Sequence, residues 1–289
     1  MSRPLGGYVG HRPVPSAAGI NSAAGGMWTL REAQRFKQAG TWPIAPPGGV
    51  YSGLQLWLDA AAPETLFSAT TGGSLVAADG AVARWEDKSG NARHATQATS
   101  GSRPLRKTSQ QNGRDVLLFD GSDDLLRVQY NASGSSGVTV FVVCKRFAES
   151  SFYAFSNYDY STGNGRGLLL GGGTSNAVFA SGRPDGGAGF KSASSGAATT
   201  NYVLATARWN GTSLFAYSNG GSESSVSASS ATFQSSDSVI LGAAYAFDPS
   251  EIQAFYNIGI GEVIAFNSAL SNTDRSLVEQ YLINKWGIT

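Results

Sequence analysis

Glycoside hydrolysis needs two carboxyl groups flanking the scissile bond, and on a strand two carboxylates share a face only at even spacing. The strand-like "GEVIAF" offers Glu262 alone, between Gly261 and Val263. Glu86 and Asp87 are adjacent and so would face opposite ways. These carboxylates are expected to be structural or solvated, and the chain is expected not to be an enzyme. "FDGSDD" brings Asp120, Asp123 and Asp124 close together. They are candidate calcium ligands, since calcium takes several oxygens from acidic loops. Asp-Gly and Ser-Asp are also ordinary turn chemistry, and no EF-hand spacing is present. His11 and His94 have no Cys or His at metal-ligand spacing, and no G-x-S-x-G elbow exists for His94 to serve. "LLLGGGTSN" lacks the Lys-Ser/Thr of a phosphate loop and reads as a strand and loop. For sugar binding, "FSNYDYSTGNGRG" supplies Tyr158 and Tyr160 for stacking and Asn157 and Asn164 for hydrogen bonds.

These side chains must be positioned by a β-rich body beginning at about residue 51. Glycine is abundant (37 residues), charged residues make up only 14%, and short alternating runs separated by turn residues fill the chain. "LQLWLDA" (54–60), "VARWEDKSG" (82–90), "RDVLLFDG" (114–121) and "VTVFVVCKRF" (138–147) read as strands. "FYAFSN", "GLLLGG", "AVFASG", "SVILGAAY" and "YNIGIGEVIAF" follow as further strands. Asn210-Gly211 between two alternating runs marks a hairpin over 201–221. The lone cysteine, Cys144, excludes an internal disulfide, and its near-continuous apolar run predicts a thiol packed in a strand buried on both faces. A closing helix is predicted from the Ser271/Asp274 capping pair, the apolar stripe Leu277, Val278, Tyr281 and Leu282, and the Gly287 stop. No internal repeat is evident. The expected fold is all-β: a two-sheet antiparallel sandwich with a C-terminal helix.

Residues 1–50 read differently. A Gly/Pro/Ala-rich leader runs to a short helix predicted at about 29–39, with Thr29/Glu32 as capping box and Gly40 and Pro43 as stop. A helix of that length is marginal alone. Met27, Trp28, Leu30, Phe36 and Trp42 therefore need a surface, and Arg31 and Arg35 supply a basic flank for docking on a partner. "PIAPPGG" (43–49) reads as a stiff linker. This arm carries five basic residues against one acidic, a net +4 in a chain whose total is +1, which suggests an acidic docking surface. The near-neutral total points to no nucleic-acid partner. No run of 18 or more apolar residues suggests a membrane span. "MSRPLGGYVGHRPVP" has no secretory core, so synthesis in a cytoplasm is expected.

Taken together, "LQLWLDA", "VARWEDKSGNARHATQAT", "NGRDVLLFDGSDDLLRV" and "IGEVIAFNSALSNTDRSLVEQYLINKWGI" resemble the concanavalin A-like lectin/glucanase sandwich in its laminin-G-like branch, over about residues 52–289. The resemblance implies a jelly roll that hosts lectins, hydrolases and inert structural domains alike. The E-x-D-x-x-E strand of its glucanase members is absent here. The leader with "WTLREA" and "GTWP" is similar to segments at the front of phage structural and tail proteins. The joint expectation is a non-enzymatic virion protein, made without a signal peptide and anchored to other virion proteins by the arm. It would display its sandwich as a tail fibre, adhesin or capsid decoration, with host polysaccharide as a further partner. Resemblance also implies a homo-oligomer, often a trimer. The alternative is a carbohydrate-binding module or degenerate glucanase acting on a polysaccharide.

Overall fold

Two antiparallel sheets stack face to face, and the C-terminal helix lies on the outside. The computed structural model describes residues 7–8, 28–29, 46–130, 132, 134–148, 150–159, 166–182, 191–221, 223–228, 239–245 and 252–289. Sheet I has the strand order β17 (Ser224–Ser227), β16 (Ser213–Ser218), β15 (Val203–Trp209), β10 (Val138–Arg146), β21 (Asn257–Phe266), β8 (Arg114–Asp120) and β7 (Leu105–Gln111). β3 (Leu54–Asp59) joins it by pairing with the second half of β21, whose first half pairs with β8. Sheet II runs β14 (Lys191–Ala197), β13 (Asn176–Gly182), β12 (Arg166–Gly172), β11 (Phe152–Asp159), β18 (Val239–Leu241), β9 (Leu126–Val128), β6 (Ala95–Thr96), β5 (Arg84–Trp85) and β4 (Leu66–Phe67). Two small ribbons complete the strands: β1 (Gly7–Tyr8) with β2 (Trp28–Thr29), and β19 (Ala243–Tyr245) with β20 (Ile252–Phe255).

Period-two alternation sorts β10 between two cores. Val138, Val140, Val142 and Cys144 enter the core between the sheets, while Phe141 and Val143 enter a second core beneath the helix. This is why "VFVVC" (140–144) is apolar without a break, and why Cys144 is fully buried. The predicted hairpin forms between β15 and β16, with the Asn210 side chain accepting from the amides of Thr212 and Ser213 at 3.1 and 2.9 Å. Strand β7 and its turn to β8 at Asn112-Gly113, both with positive φ, were not expected from the sequence.

Helix α1 (Asn272–Trp286) lies on the outer face of sheet I. Ser271 Oγ caps it by accepting from the Asp274 amide at 3.1 Å, and Gly287, with φ of 60°, ends it in the left-handed region. Its buried stripe is Val278, Leu282 and Trp286, at i, i+4 and i+8. The expected stripe is corrected at Leu277, which is 48% exposed: a residue one step before Val278 lies 100° round the helix, off the packed face.

Residues 46–49, the described end of the expected linker, are packed against the body together with Val50. Pro47–Gly49 form a single 3₁₀ turn, Pro47 and Val50 are buried, and Gly48 has φ of 62°. A Cβ on Gly48 would come within 2.6 Å of the Leu277 carbonyl, so glycine lets the chain pass closely over α1. In the arm, Thr29 is extended and pairs with Gly7, a conformation that an N-cap residue also adopts. The rest of that helix, and with it Met27, Leu30, Arg31, Arg35, Phe36 and Trp42, lies outside the described residues.

Candidate functional site

The carboxylates singled out from the sequence fall into three places. The first is beneath α1. Glu262 is fully buried and accepts from Trp57 Nε1 (2.8 Å), Tyr281 Oη (3.1 Å), Lys285 Nζ (2.6 Å) and Trp286 Nε1 (2.7 Å). Asp59, directly opposite it across the β3–β21 pair, takes Lys285 and Lys88, each at 2.7 Å. Two anions and two cations thus balance in a site walled by two tryptophans. Burial raises the Asp59 pKa, but Lys88 and Lys285 outweigh it and hold the carboxyl below its usual range. Burial, reinforced by Asp59, raises that of Glu262.

A bulge aims Glu262 there. Ile258 and Ile260 point into the inter-sheet core, and so do Val263 and Ala265, with the parity reversed between them. The pairing with β10 slips at this point, with Val143 opposite Glu262 and Cys144 opposite Ile260, leaving Gly261 as the extra residue. Were the strand to alternate regularly through Gly261, Glu262 would enter the apolar core. Gly261 also gives Trp286 room, since a Cβ there would stand 2.7 Å from the indole. This cluster fastens the helix to the sheet; its carboxylates have no open face toward a substrate.

The second place is the 86–94 turn. Asp87 accepts from the amides of Trp57 (2.9 Å), Ser89 (2.8 Å) and Arg93 (3.0 Å), and the Asp87 amide donates to His94 Nδ1 at 3.1 Å. Glu86 turns away to pair with Arg84 at 3.2 Å. The third is the Asp120, Asp123 and Asp124 group, whose oxygens lie within 4.8 Å of one another. Each already accepts a hydrogen bond: Asp120 from the Ser122 amide at 2.8 Å, Asp124 from the Asp120 amide at 3.0 Å, and Asp123 from Ser102 Oγ at 2.9 Å. That is the pattern of a self-capped turn. Burial, with the charges of Asp120 and Asp123, pushes the Asp124 carboxyl up to about 6 against the help of the Asp120 amide.

Of the expected sugar-contact residues, Asn157 is corrected. It belongs to β11 opposite Leu168 and is 1% exposed, so it presents no surface to a sugar. The backbone of Tyr158 continues β11, while Tyr160 and Asn164 lie outside the described residues.

A different recess exists on the face of sheet II turned away from the core. Strand alternation sends Val178, Ala180 and Ala193 inward and puts Phe179, Ser181, Ser192 and Ser194 outward. The β13–β14 register sets Phe179 beside Ser194 and Ser181 beside Ser192. The second pair is hydrogen-bonded at 2.8 Å. The β12–β13 turn, Gly173 to Asn176, and Ser151 at the start of β11 build the other wall of a cavity of about 240 Å³. Two contacts fix that turn. The Gly173 amide donates to the Asn176 carbonyl (2.9 Å), and buried Arg146, held also by the Thr199 carbonyl (3.0 Å), donates Nη1 to the Gly173 carbonyl (2.7 Å). Tyr153 meets Phe179 edge to face at 5.2 Å and orients its ring. The signal in sequence was the alternation of Phe179 with Ser181 and of Ser192 with Ser194, which gains meaning only once the two strands are paired.

No protein-family model matches the chain, and no curated protein matches it either. Solved structures match in fold. The binding domain of Paraclostridial Mosquitocidal Protein 1 aligns with a TM-score of 0.56 at 12% identity, over 80% of this chain and 53% of that one. The ligand binding domain of botulinum neurotoxin serotype D in complex with N-acetylneuraminic acid gives 0.50 at 15% identity, over 81% and 52%. A Trypanosoma rangeli sialidase in complex with 2,3-difluorosialic acid gives 0.52 at 12% identity, over 86% and 35%. The chain therefore spans about half the length of the toxin-domain chains and about a third of the sialidase chain. Likeness at such identities establishes the β-sandwich fold alone.

Proposed function

We propose that this chain is a non-enzymatic carbohydrate-binding sandwich displayed on a phage virion and anchored to other virion proteins by its N-terminal arm. The observation that carries the binding role is the hydroxyl-lined recess on sheet II, where Phe179 stands beside Ser194 and below the fixed Gly173–Asn176 turn. Hydroxyls that donate and accept around one aromatic ring match a sugar, which offers hydroxyls on its edge and an apolar face. The structure of the toxin-domain neighbour in complex with N-acetylneuraminic acid supports the reading. The non-enzymatic part rests on Asp59, locked by two lysines, and on Glu262, locked by lysine and indole donors. The virion setting rests on the basic aromatic arm and its resemblance to phage structural proteins.

Glycan-array binding of the whole chain tests the first part: binding is expected for the wild type and loss for Phe179→Ala, and a wild type that binds no glycan refutes it. Deletion of residues 1–43 is expected to abolish incorporation into particles while leaving glycan binding intact. Normal incorporation of that deletion refutes the anchoring role. Polysaccharide cleavage that is lost on Glu262→Gln would overturn the non-enzymatic assignment.

A further inference from the structure

The chemistry of the recess narrows its ligand. Its described polar groups are the hydroxyls of Ser151, Thr174, Ser175 and the three outward serines, with the Asn176 amide. Each hydroxyl both donates and accepts, as a sugar hydroxyl does. No charged side chain is among the described lining residues. Arg146, which lies behind the turn, is 5% exposed and spends its guanidinium on the carbonyls of Gly173 and Thr199. Lys191 precedes Ser192 by one residue, and so belongs to the opposite face of β14. Among the described residues, a carboxylate, sulfate or phosphate would meet none of the charge-assisted donors that compensate its desolvation.

The floor is bare at Gly173. Its neighbours Gly171 and Gly172 are required by crowding, since a Cβ would stand 1.8 Å from the Phe152 carbonyl oxygen at the first and 2.5 Å from the Ala177 carbonyl oxygen at the second. Gly173 has no such reason. Its φ lies outside the left-handed region, and a Cβ would rest 3.6 Å from the Phe179 ring and 3.8 Å from Ser151 Oγ, at ordinary contact distance. Neither backbone conformation nor packing demands glycine there, and the missing side chain is what leaves the Phe179 ring open toward the turn. The cavity, about 240 Å³, is smaller than sites that engulf drug-sized ligands, which run from about 300 Å³ upward. A recess of that size suits contact with one sugar ring.

We infer that the recess binds a single neutral sugar ring, uncharged and hydroxyl-rich, over Phe179 and Gly173, rather than a sialic acid or another acidic sugar. This rests on the carbohydrate-binding reading above and names the ligand class of the same site. The test uses the full chain against immobilised neutral hexose-terminated glycans and against sialylated and sulfated ones. It compares wild type with Gly173→Val, which adds bulk without removing a contact, with Gly173→Ala as the milder change should the first fold poorly. Wild type is expected to bind neutral glycans. Gly173→Val is expected to weaken that binding by about tenfold or more with the unfolding temperature unchanged. Binding confined to sialylated or sulfated glycans overturns the neutral-sugar inference and leaves the lectin reading standing. Neutral binding untouched by either Gly173 variant overturns the assignment to this recess. A wild type that binds no glycan overturns both.

Discussion

Lys285→Met probes the cluster that fastens α1 to sheet I. The ammonium sits 2.7 Å from Asp59 Oδ1 and 2.6 Å from Glu262 Oε2, and these carboxylates are 4% and 0% exposed. Its removal leaves two buried anions with Lys88, 2.7 Å from Asp59 Oδ2, as the remaining ammonium of the cluster. Removing one partner of a buried pair costs about 3–5 kcal/mol, because the other charge is stranded. Trp57, Tyr281 and Trp286 still donate to Glu262, which places the cost at the lower end, about 3 kcal/mol. At about 2–4 °C per kcal/mol for a large domain, the melting temperature should fall by about 6–12 °C. Urea unfolding should show the midpoint lowered with an unchanged slope. Adding Glu262→Gln removes the stranded anion, so the double variant should be more stable than the sum of the single effects by about 1 kcal/mol or more. A Lys285→Met protein within about 0.5 kcal/mol of wild type, or strictly additive singles, would refute the coupled-cluster argument.

Asp124 holds its proton more tightly folded than unfolded, with a folded value of about 6 against the usual 3.8. Its contribution to stability should therefore decline as pH rises from about 4 to about 6. Asp124→Asn should flatten that part of the profile in unfolding experiments at stepped pH, and an unchanged slope would remove Asp124 as its source. The Cys144 thiol, fully buried and pushed up to about 12, should resist a thiol reagent in the native protein and react once denaturant unfolds it; fast native labelling would contradict the packing of β10. Gly261→Ala places a Cβ 2.7 Å from the Trp286 ring and should cost about 1–3 kcal/mol in urea unfolding. A neutral effect there would show that the indole can shift without loss.

Much of the frame was legible because it depends on neighbours along the chain. The β15–β16 hairpin follows from Asn210-Gly211, the two ends of α1 from Ser271 and Gly287, and the burial of Cys144 from an unbroken apolar run. Strand β7, "LRKTSQQ", was missed because an edge strand with one partner needs little apolar surface, and four of its seven side chains are half-buried and three exposed. The candidate site was less legible. Tyr158 and Tyr160 drew attention as loop aromatics, while nothing in "AVFASG" set Phe179 apart until its parity against Val178 and Ala180 put it outside.

By itself the sequence determined the class of fold, the positions of most strands, the closing helix and its caps, and the absence of a paired-carboxylate strand pattern. These are properties of residues within a few positions of each other, set by backbone periodicity and local hydrogen bonds. Only the tertiary structure decided that Glu262 is an anchor. Its partners Trp57 and Lys285 lie 205 and 23 residues away, and a one-residue bulge at Gly261 chooses its face. Only the tertiary structure, too, gathered serines from β13 and β14 beside a turn held by Arg146. Charge pairing and cavity shape depend on distances through space, and those exist only after the strands have found their register.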